Sequence, residues 1–196
     1  MIPSRRFHPW RLDLAGAMLF LLLAAVTLRA ARHDLLYILP AALFGFAAWR
    51  ALGSYSRRHY GKRLERQALR ALRRASKWPV ATNVPVPGGG GGDIDAVLDG
   101  PFRSVNPERG GGHRRIAIEV KSWAGLRVHN GHLVHNSGRP IGGKDPIAQV
   151  LREAQAIDAV PVLWMPSARR RSAFEYRGAL VVNGPVDFLL DTITSG

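Results

Sequence analysis

Two stretches, Gly92-Asp-Ile-Asp-Ala-Val-Leu98 and Ile116-Ala-Ile-Glu-Val-Lys-Ser122, decide how this chain reads. Ile94–Leu98 and Arg115–Ser122 are rich in β-branched and apolar residues and predict neighbouring strands. Side chains alternate along a strand, so Asp93 and Asp95 share one face, and Glu119 and Lys121 share a face of the next strand. If the strands pair as a hairpin, Asp95 and Glu119 approach closely enough to share one ion. Strand carboxylates flanked by Ile, Val and Leu are costly to bury unless a cation neutralises them. An all-oxygen donor set suits Mg²⁺ or Mn²⁺. Lys121, two residues beyond the second carboxylate, can orient or deprotonate a water and offset phosphate charge. Phosphodiester hydrolysis has these requirements. Local spacing alone is equally compatible with solvent-facing charges on strand edges.

The surrounding segments supply a fold for those strands. Gly88–Gly92 is a run of five glycines and predicts a flexible loop. It is not a phosphate-binding P-loop, since no Gly-Lys-Ser/Thr follows to open a helix. Pro101–Gly112 reads as a second mobile connection. Leu126–His135 predicts a hairpin with Asn130-Gly131 as its type I′ turn. Pro146–Ala159 predicts a helix with Ile147, Val150, Leu151, Ala154 and Ile157 on its apolar face. Val160–Met165 and Ala179–Asn183 read as short buried strands, and Val186–Ile193 as a closing helix. This order predicts an α/β sandwich with a mixed sheet.

Gly92-Asp-Ile-Asp-Ala-Val-Leu98, Ile118-Glu-Val-Lys-Ser-Trp-Ala-Gly125 and the later Asp145-Pro-Ile-Ala-Gln149 together resemble the nuclease-related domain (NERD) family, a branch of the PD-(D/E)XK nuclease superfamily. The likeness runs from about Tyr60 to Ile193. It implies a restriction-endonuclease-like fold in which Asp95, Glu119 and the backbone carbonyl of Val120 are metal ligands and Lys121 is the catalytic lysine. Glu65 corresponds to the acidic residue of the family's first helix, and Gln149 to the glutamine on the helix after the core strands. Trp123 and Gly125 match the segment following Glu-x-Lys. Ile94 stands where the superfamily name has proline. The implied activity is metal-dependent cleavage of nucleic acid, in the first instance DNA. A non-catalytic tether that binds nucleic acid or a protein through the same fold is the alternative.

Upstream of this domain the composition changes. The chain of 196 residues carries a net charge of +14, which by itself suggests a nucleic-acid partner. Residues 1–79 hold fifteen Lys/Arg against three Asp/Glu, whereas residues 80–196 hold thirteen against eleven. The basic character therefore belongs to the N-terminal part. Two apolar runs lie there, Leu12–Leu28 and Leu35–Leu52, the second with Pro40 inside it and Arg50 near its end. At ~1.5 Å per residue each covers roughly 25 Å, close to a bilayer's hydrocarbon thickness. The short linker Arg29–Asp34 predicts an antiparallel transmembrane hairpin, and buried core helices or a twin-arginine-like signal at Ser4-Arg-Arg-Phe7 are the competing readings. Arg5, Arg6 and Arg11 precede the hairpin, and Arg57, Arg58, Lys62 and Arg63 follow it. The positive-inside rule then puts both termini in the cytoplasm, with Trp10 and Trp49 at headgroup level. The expected domains are a hairpin over 1–54, a basic juxtamembrane helix over 55–78 and a nuclease-related core over 79–196.

The basic helix is expected over Gly61–Ala75, with Leu64, Ala68, Leu72 and Ala75 as its apolar stripe. Its arginines suit anionic headgroups or a nucleic-acid backbone. By local sequence, Glu65 is an ion-pair partner for Arg66 or Arg70. Having no cysteine, the chain lacks disulfides and thiolate metal sites. His129, His132 and His135 lack the helical spacing and acidic partner of a zinc site and read as exposed hairpin residues. Arg169-Arg-Arg171 is a basic loop, suited to phosphate contact or to solvent.

Overall fold

The computed structural model describes residues 9–87, 92–103 and 111–194. The chain divides into two compact units, Met1–Lys62 and Arg63–Gly196. In the first, α1 spans Pro9–Ala30, a 3-10 turn spans Leu35–Tyr37, and α2 begins at Ile38 and runs to Ala75. Asp34 caps the turn, its carboxylate accepting from Leu36 N–H at 2.9 Å. Pro40 falls in the first turn of α2, where its missing N–H has no helical partner to lose. The helix then continues through Gly53 and Gly61, so the juxtamembrane helix expected to start near residue 55 is not a separate element. Glycine costs a helix about 1 kcal/mol, too little to interrupt one this long. The two compact units meet within this helix, between Lys62 and Arg63.

In this unit Ala17 and Ala48 are fully buried, and Phe20 stacks on Phe44 at 6.4 Å. Most large apolar side chains point outward, among them Met18, Leu22, Leu43, Phe46 and Trp49. The helical stretch Leu35–Ala75 is long and apolar enough to cross a membrane by length and composition, and the apolar part of α1, Leu14–Ala30, is shorter. Arg5 and Arg6 lie outside the described residues, as do the side chains of Trp10, Arg11, Arg57 and Arg58.

The second unit is a mixed α/β fold around a six-stranded sheet ordered β1-β2-β3-β6-β8-β7. Its strands are β1 (Val80–Pro85), β2 (Asp93–Arg103), β3 (Gly111–Val120), β6 (Val160–Met165), β7 (Ser172–Tyr176) and β8 (Ala179–Asn183). The central trio β3, β6 and β8 is parallel, and the outer pairings are antiparallel. β4 (Leu126–His129) and β5 (His132–His135) form the expected hairpin. Asn130 and Gly131 have φ of 50° and 76°, as a type I′ turn requires.

Alternation in the central strands sorts the core into two layers. Ile116, Ile118, Val120, Val162 and Trp164 face Leu69 and Leu72 of α2 and Leu189 and Ile193 of α4 (Val186–Thr194). Leu163, Met165 and Val181 face the opposite way, toward Ile147 and Val150 of α3 (Pro146–Ala156). The Asp145 carboxylate caps α3 by accepting from Ile147 and Ala148 N–H, with Pro146 at the first turn. This helix ends three residues short of the expected Ala159, because the chain turns at Asp158, φ 51°, to enter β6.

Two strands went unpredicted. β1 and β7 are the edge strands, where only one side of the ladder is paired and the apolar signal is weak. The connection expected over Pro101–Gly112 is shorter, since β2 runs to Arg103 and β3 starts at Gly111; residues 104–110 lie outside the described residues. Of the glycine run Gly88–Gly92, only Gly92 is described.

Candidate active site

The site forms where β2 parts from β3. Their pairing ends at Ala96↔Ile118, and one more step in that register would set Asp95 opposite Glu119. On its other side β2 pairs with β1 through Thr82↔Ala96 and Val84↔Ile94, skipping Asn83, whose φ is 54°. The β1–β2 register resumes unshifted beyond it, down to Pro85↔Asp93. The Asp95 side chain takes over where the ladder stops: its Oδ2 accepts from Val120 N–H at 2.8 Å. In extended backbone a residue's N–H and C=O point to the same edge, so the Val120 carbonyl faces the Asp95 side as well.

Glu119 and Lys121 leave β3 on the α3 face. Glu119 is 3% exposed, and its Oε1 accepts from Lys121 Nζ at 2.5 Å and from Gln149 Nε2 at 3.0 Å. The same amide nitrogen donates to Glu153 Oε1 at 2.9 Å. Glu153 lies one helical turn after Gln149 and is 6% exposed. Sequence reasoning missed it. The signal that could have found it is its place four residues after Gln149, beside Val150 and Ala154 on the inner side of α3.

Glu65 enters from α2 and is turned toward Asp95, Lys121 and Ser122. One lysine thus lies among four acids, and each acid is harder to ionise than usual. Burial pushes Asp95 up to about 6, reinforced by the neighbouring Glu119 charge. Burial also raises Glu119, against the pull of Lys121, and raises Glu65 and Glu153, both with a further push from Asp95. Burial works against the Lys121 ammonium, but Glu119, Asp95 and Glu65 outweigh it and lift its pKa above the ordinary lysine value. Lys121 is therefore a held cation at neutral pH, able to donate a hydrogen bond and not to take a proton.

The second oxygens of Glu119 and Glu153, both Oε2, are buried and have no hydrogen-bond partner. A buried carboxylate oxygen without a donor is poorly compensated, and a bound cation is the chemistry that would complete it. Among the described residues no three His, Asp or Glu side chains converge as a chelating group. The available donors are two strand carboxylates, a backbone carbonyl and solvent. That set fits Mg²⁺, which keeps several of its waters, better than a site enclosed by protein ligands.

The three hairpin histidines lie on β4 and β5. His129 pairs across the hairpin with His132, and His135 packs edge-on against Trp123 at 5.0 Å. Gly125 has φ of 115°, and a Cβ there would lie 2.3 Å from Asn136 Nδ2, so only glycine fits where the chain leaves the site for the hairpin. No family model, curated protein or solved structure matches this chain.

Proposed function

We propose that the Arg63–Gly196 unit is a metal-dependent nuclease domain of the PD-(D/E)XK class, resembling the NERD family, and that it cleaves phosphodiester bonds in DNA. The observation that carries this reading is the junction of Asp95 and Glu119 at the parting of two strands, with Lys121 bonded to Glu119. Asp95, Glu119 and the Val120 carbonyl would hold Mg²⁺ or Mn²⁺. Such an ion supplies neutralisation of the carboxylate pair and polarisation of a phosphoryl oxygen.

The chain's own groups supply the rest. Lys121, kept protonated by three acids, donates toward phosphate oxygen or orients a water, and its positive charge favours the added negative charge of the phosphoryl transition state. Gln149 fixes the Glu119 carboxylate by donating to Oε1 while Oε2 stays free. The Val120 N–H holds Asp95 in one rotamer. Glu65 faces Lys121 from α2 and helps keep it charged.

The N-terminal unit is proposed as a two-pass membrane anchor with the nuclease domain on the cytoplasmic side of the cell membrane. Outward-facing apolar side chains from Met18 to Trp49 support it, as does the excess of Lys/Arg on the flanks over the linker. Basic residues of α2 beyond the anchor would then meet anionic headgroups.

The test is cleavage of plasmid and single-stranded DNA by the full chain in detergent, with Mg²⁺, Mn²⁺ or EDTA. Cation-dependent cleavage lost in both Asp95→Ala and Lys121→Ala is the expected result. DNA binding without cleavage under every cation would overturn the enzyme and leave a nucleic-acid tether.

A further inference from the structure

A basic loop lies near this acidic site. Arg169, Arg170 and Arg171, between β6 and β7, join Arg127 of β4 in lining a cavity of about 890 Å³. Arg171 donates to Asp187 at 3.0 Å. Arg127, Arg169 and Arg170 have no hydrogen-bond or carboxylate partner among the described residues, and all three are exposed. Glu175 is the one acid on the cavity wall. Unpaired guanidiniums around one hollow repel one another. They are, however, what a phosphate-bearing ligand requires, because each planar fork can grip two oxygens.

The cavity sits at the same end of the sheet as the carboxylates. β3 and β6 are parallel, with Val120 beside Trp164, so Lys121 leaves one strand and Ser167 follows the other at their common C-terminal edge. Ala124, three residues past Lys121, lies on the cavity wall together with Ser167. In open α/β sheets ligands collect at that edge. Four acids around one lysine repel a polyanion, so a substrate strand needs cations close by to hold it there. Phe174 offers an aromatic wall in the same cavity, and an aromatic beside arginines is the pairing that seats nucleic-acid strands.

We infer that the Arg127–Arg169–Arg170 cavity is a phosphate-binding subsite that seats the backbone of a nucleic-acid strand beside the carboxylate site. That the polyanion is nucleic acid rests on the hydrolase reading above; the need for an anion does not. Binding of labelled DNA to the full chain in detergent, followed by fluorescence anisotropy in EDTA between about 50 and 200 mM salt, tests it. The variant is Arg127→Gln/Arg169→Gln/Arg170→Gln, three exposed changes outside the carboxylate site. Losing three phosphate contacts should weaken binding at least roughly tenfold and cut the salt slope by about 2 to 3. Unchanged affinity and slope would overturn the subsite. Arginine-dependent binding of a soluble phosphatidylglycerol, without arginine-dependent binding of DNA, would overturn it in favour of a lipid headgroup. Cleavage measured separately in Mg²⁺ keeps the two readings apart. Arginine-dependent binding by a wild type that does not cleave retains the subsite and rejects the hydrolase. Cleavage with arginine-independent binding does the reverse.

Discussion

Replacing Asp95 by Asn should make the metal-free protein more stable at neutral pH while removing its response to Mg²⁺. Asn keeps the shape of the side chain, and its carbonyl oxygen can still accept the Val120 N–H that Asp95 holds at 2.8 Å. What it removes is a charge that the fold disfavours. The Asp95 carboxyl moves from 3.8 to about 6 on folding, by burial first and by the Glu119 charge second. Between those values the folded chain binds more protons than the unfolded chain. Stability therefore falls as pH rises through that window and levels off above about 6. This is the reverse of a salt-bridged aspartate, which loses stability on acidification. At 1.36 kcal/mol per unit, the ionised group costs the folded state about 3 kcal/mol at neutral pH. Because Asp95 and Glu119 titrate together, that cost belongs to the pair.

The assay is thermal unfolding of the full chain in EDTA across about pH 4 to 8, followed by tryptophan fluorescence. Trp164 is fully buried, with its indole N–H bonded to the Gly184 carbonyl, and reports on this unit. Asp95→Asn should gain up to roughly 6–12 °C at neutral pH, using 2–4 °C per kcal/mol for a domain of this size. It should also flatten the wild-type decline between about pH 4 and 6. Adding Mg²⁺ should raise the wild-type Tm through binding to the folded state and leave the variant unmoved. An Asp95→Asn protein less stable than wild type in EDTA, or one that keeps the wild-type pH slope, would refute the argument that desolvation and Glu119 govern this site.

Gln149→Ala removes the one amide that bridges Glu119 and Glu153. Mg²⁺ affinity, read as the metal-induced Tm shift, should weaken roughly 10–100-fold, the usual consequence of losing a group that orients a ligand. Glu153→Gln keeps an oxygen to accept from Gln149 but removes a charge that raises Glu119; its Tm in EDTA at neutral pH should rise, and a fall would mean that Glu153 is a needed anion. Asn183→Ala should cost about 2–4 kcal/mol in urea unfolding. Its side chain satisfies both Leu126 N–H and Leu126 C=O and ties in Ser172, so truncation leaves a buried backbone donor and acceptor of the hairpin unpaired.

The parts of the site carried by periodicity could be read before any coordinates. Glu119 and Lys121 share a face because their spacing is two, and Asp95 meets them because an antiparallel ladder returns the chain to the same level. The parallel strands β6 and β8 read as unbroken apolar runs because they are buried on both faces. Edge strands gave no such signal: β1 alternates half-buried and exposed residues, including a threonine, an asparagine and a proline. Nor did the sequence separate Arg127 from Arg169–Arg171 by anything but distance along the chain, although they line one cavity. The continuity of α2 was hidden for a different reason. Apolar and basic halves of one helix have opposite compositions, so composition alone separates what the backbone joins.

Glu153 and Glu65 make the strongest case that this cluster is arranged for chemistry and not for stability. A fold needing only a rigid strand end could place apolar groups at both positions; buried ion pairs are commonly replaced by hydrophobic residues with no loss of stability. Instead, two helices from opposite faces each deliver a carboxylate toward Lys121 and Asp95. The sheet holds two more there, and two carboxylate oxygens remain buried without a donor. The Asp95 charge raises Glu65 and Glu153, the Glu119 charge raises Asp95 and the Glu153 charge raises Glu119, so the arrangement is self-opposing until positive charge arrives. Lys121 supplies one such charge. The remainder is what a divalent ion would bring, and a cluster that is destabilising alone and relieved on binding converts metal uptake directly into folding free energy.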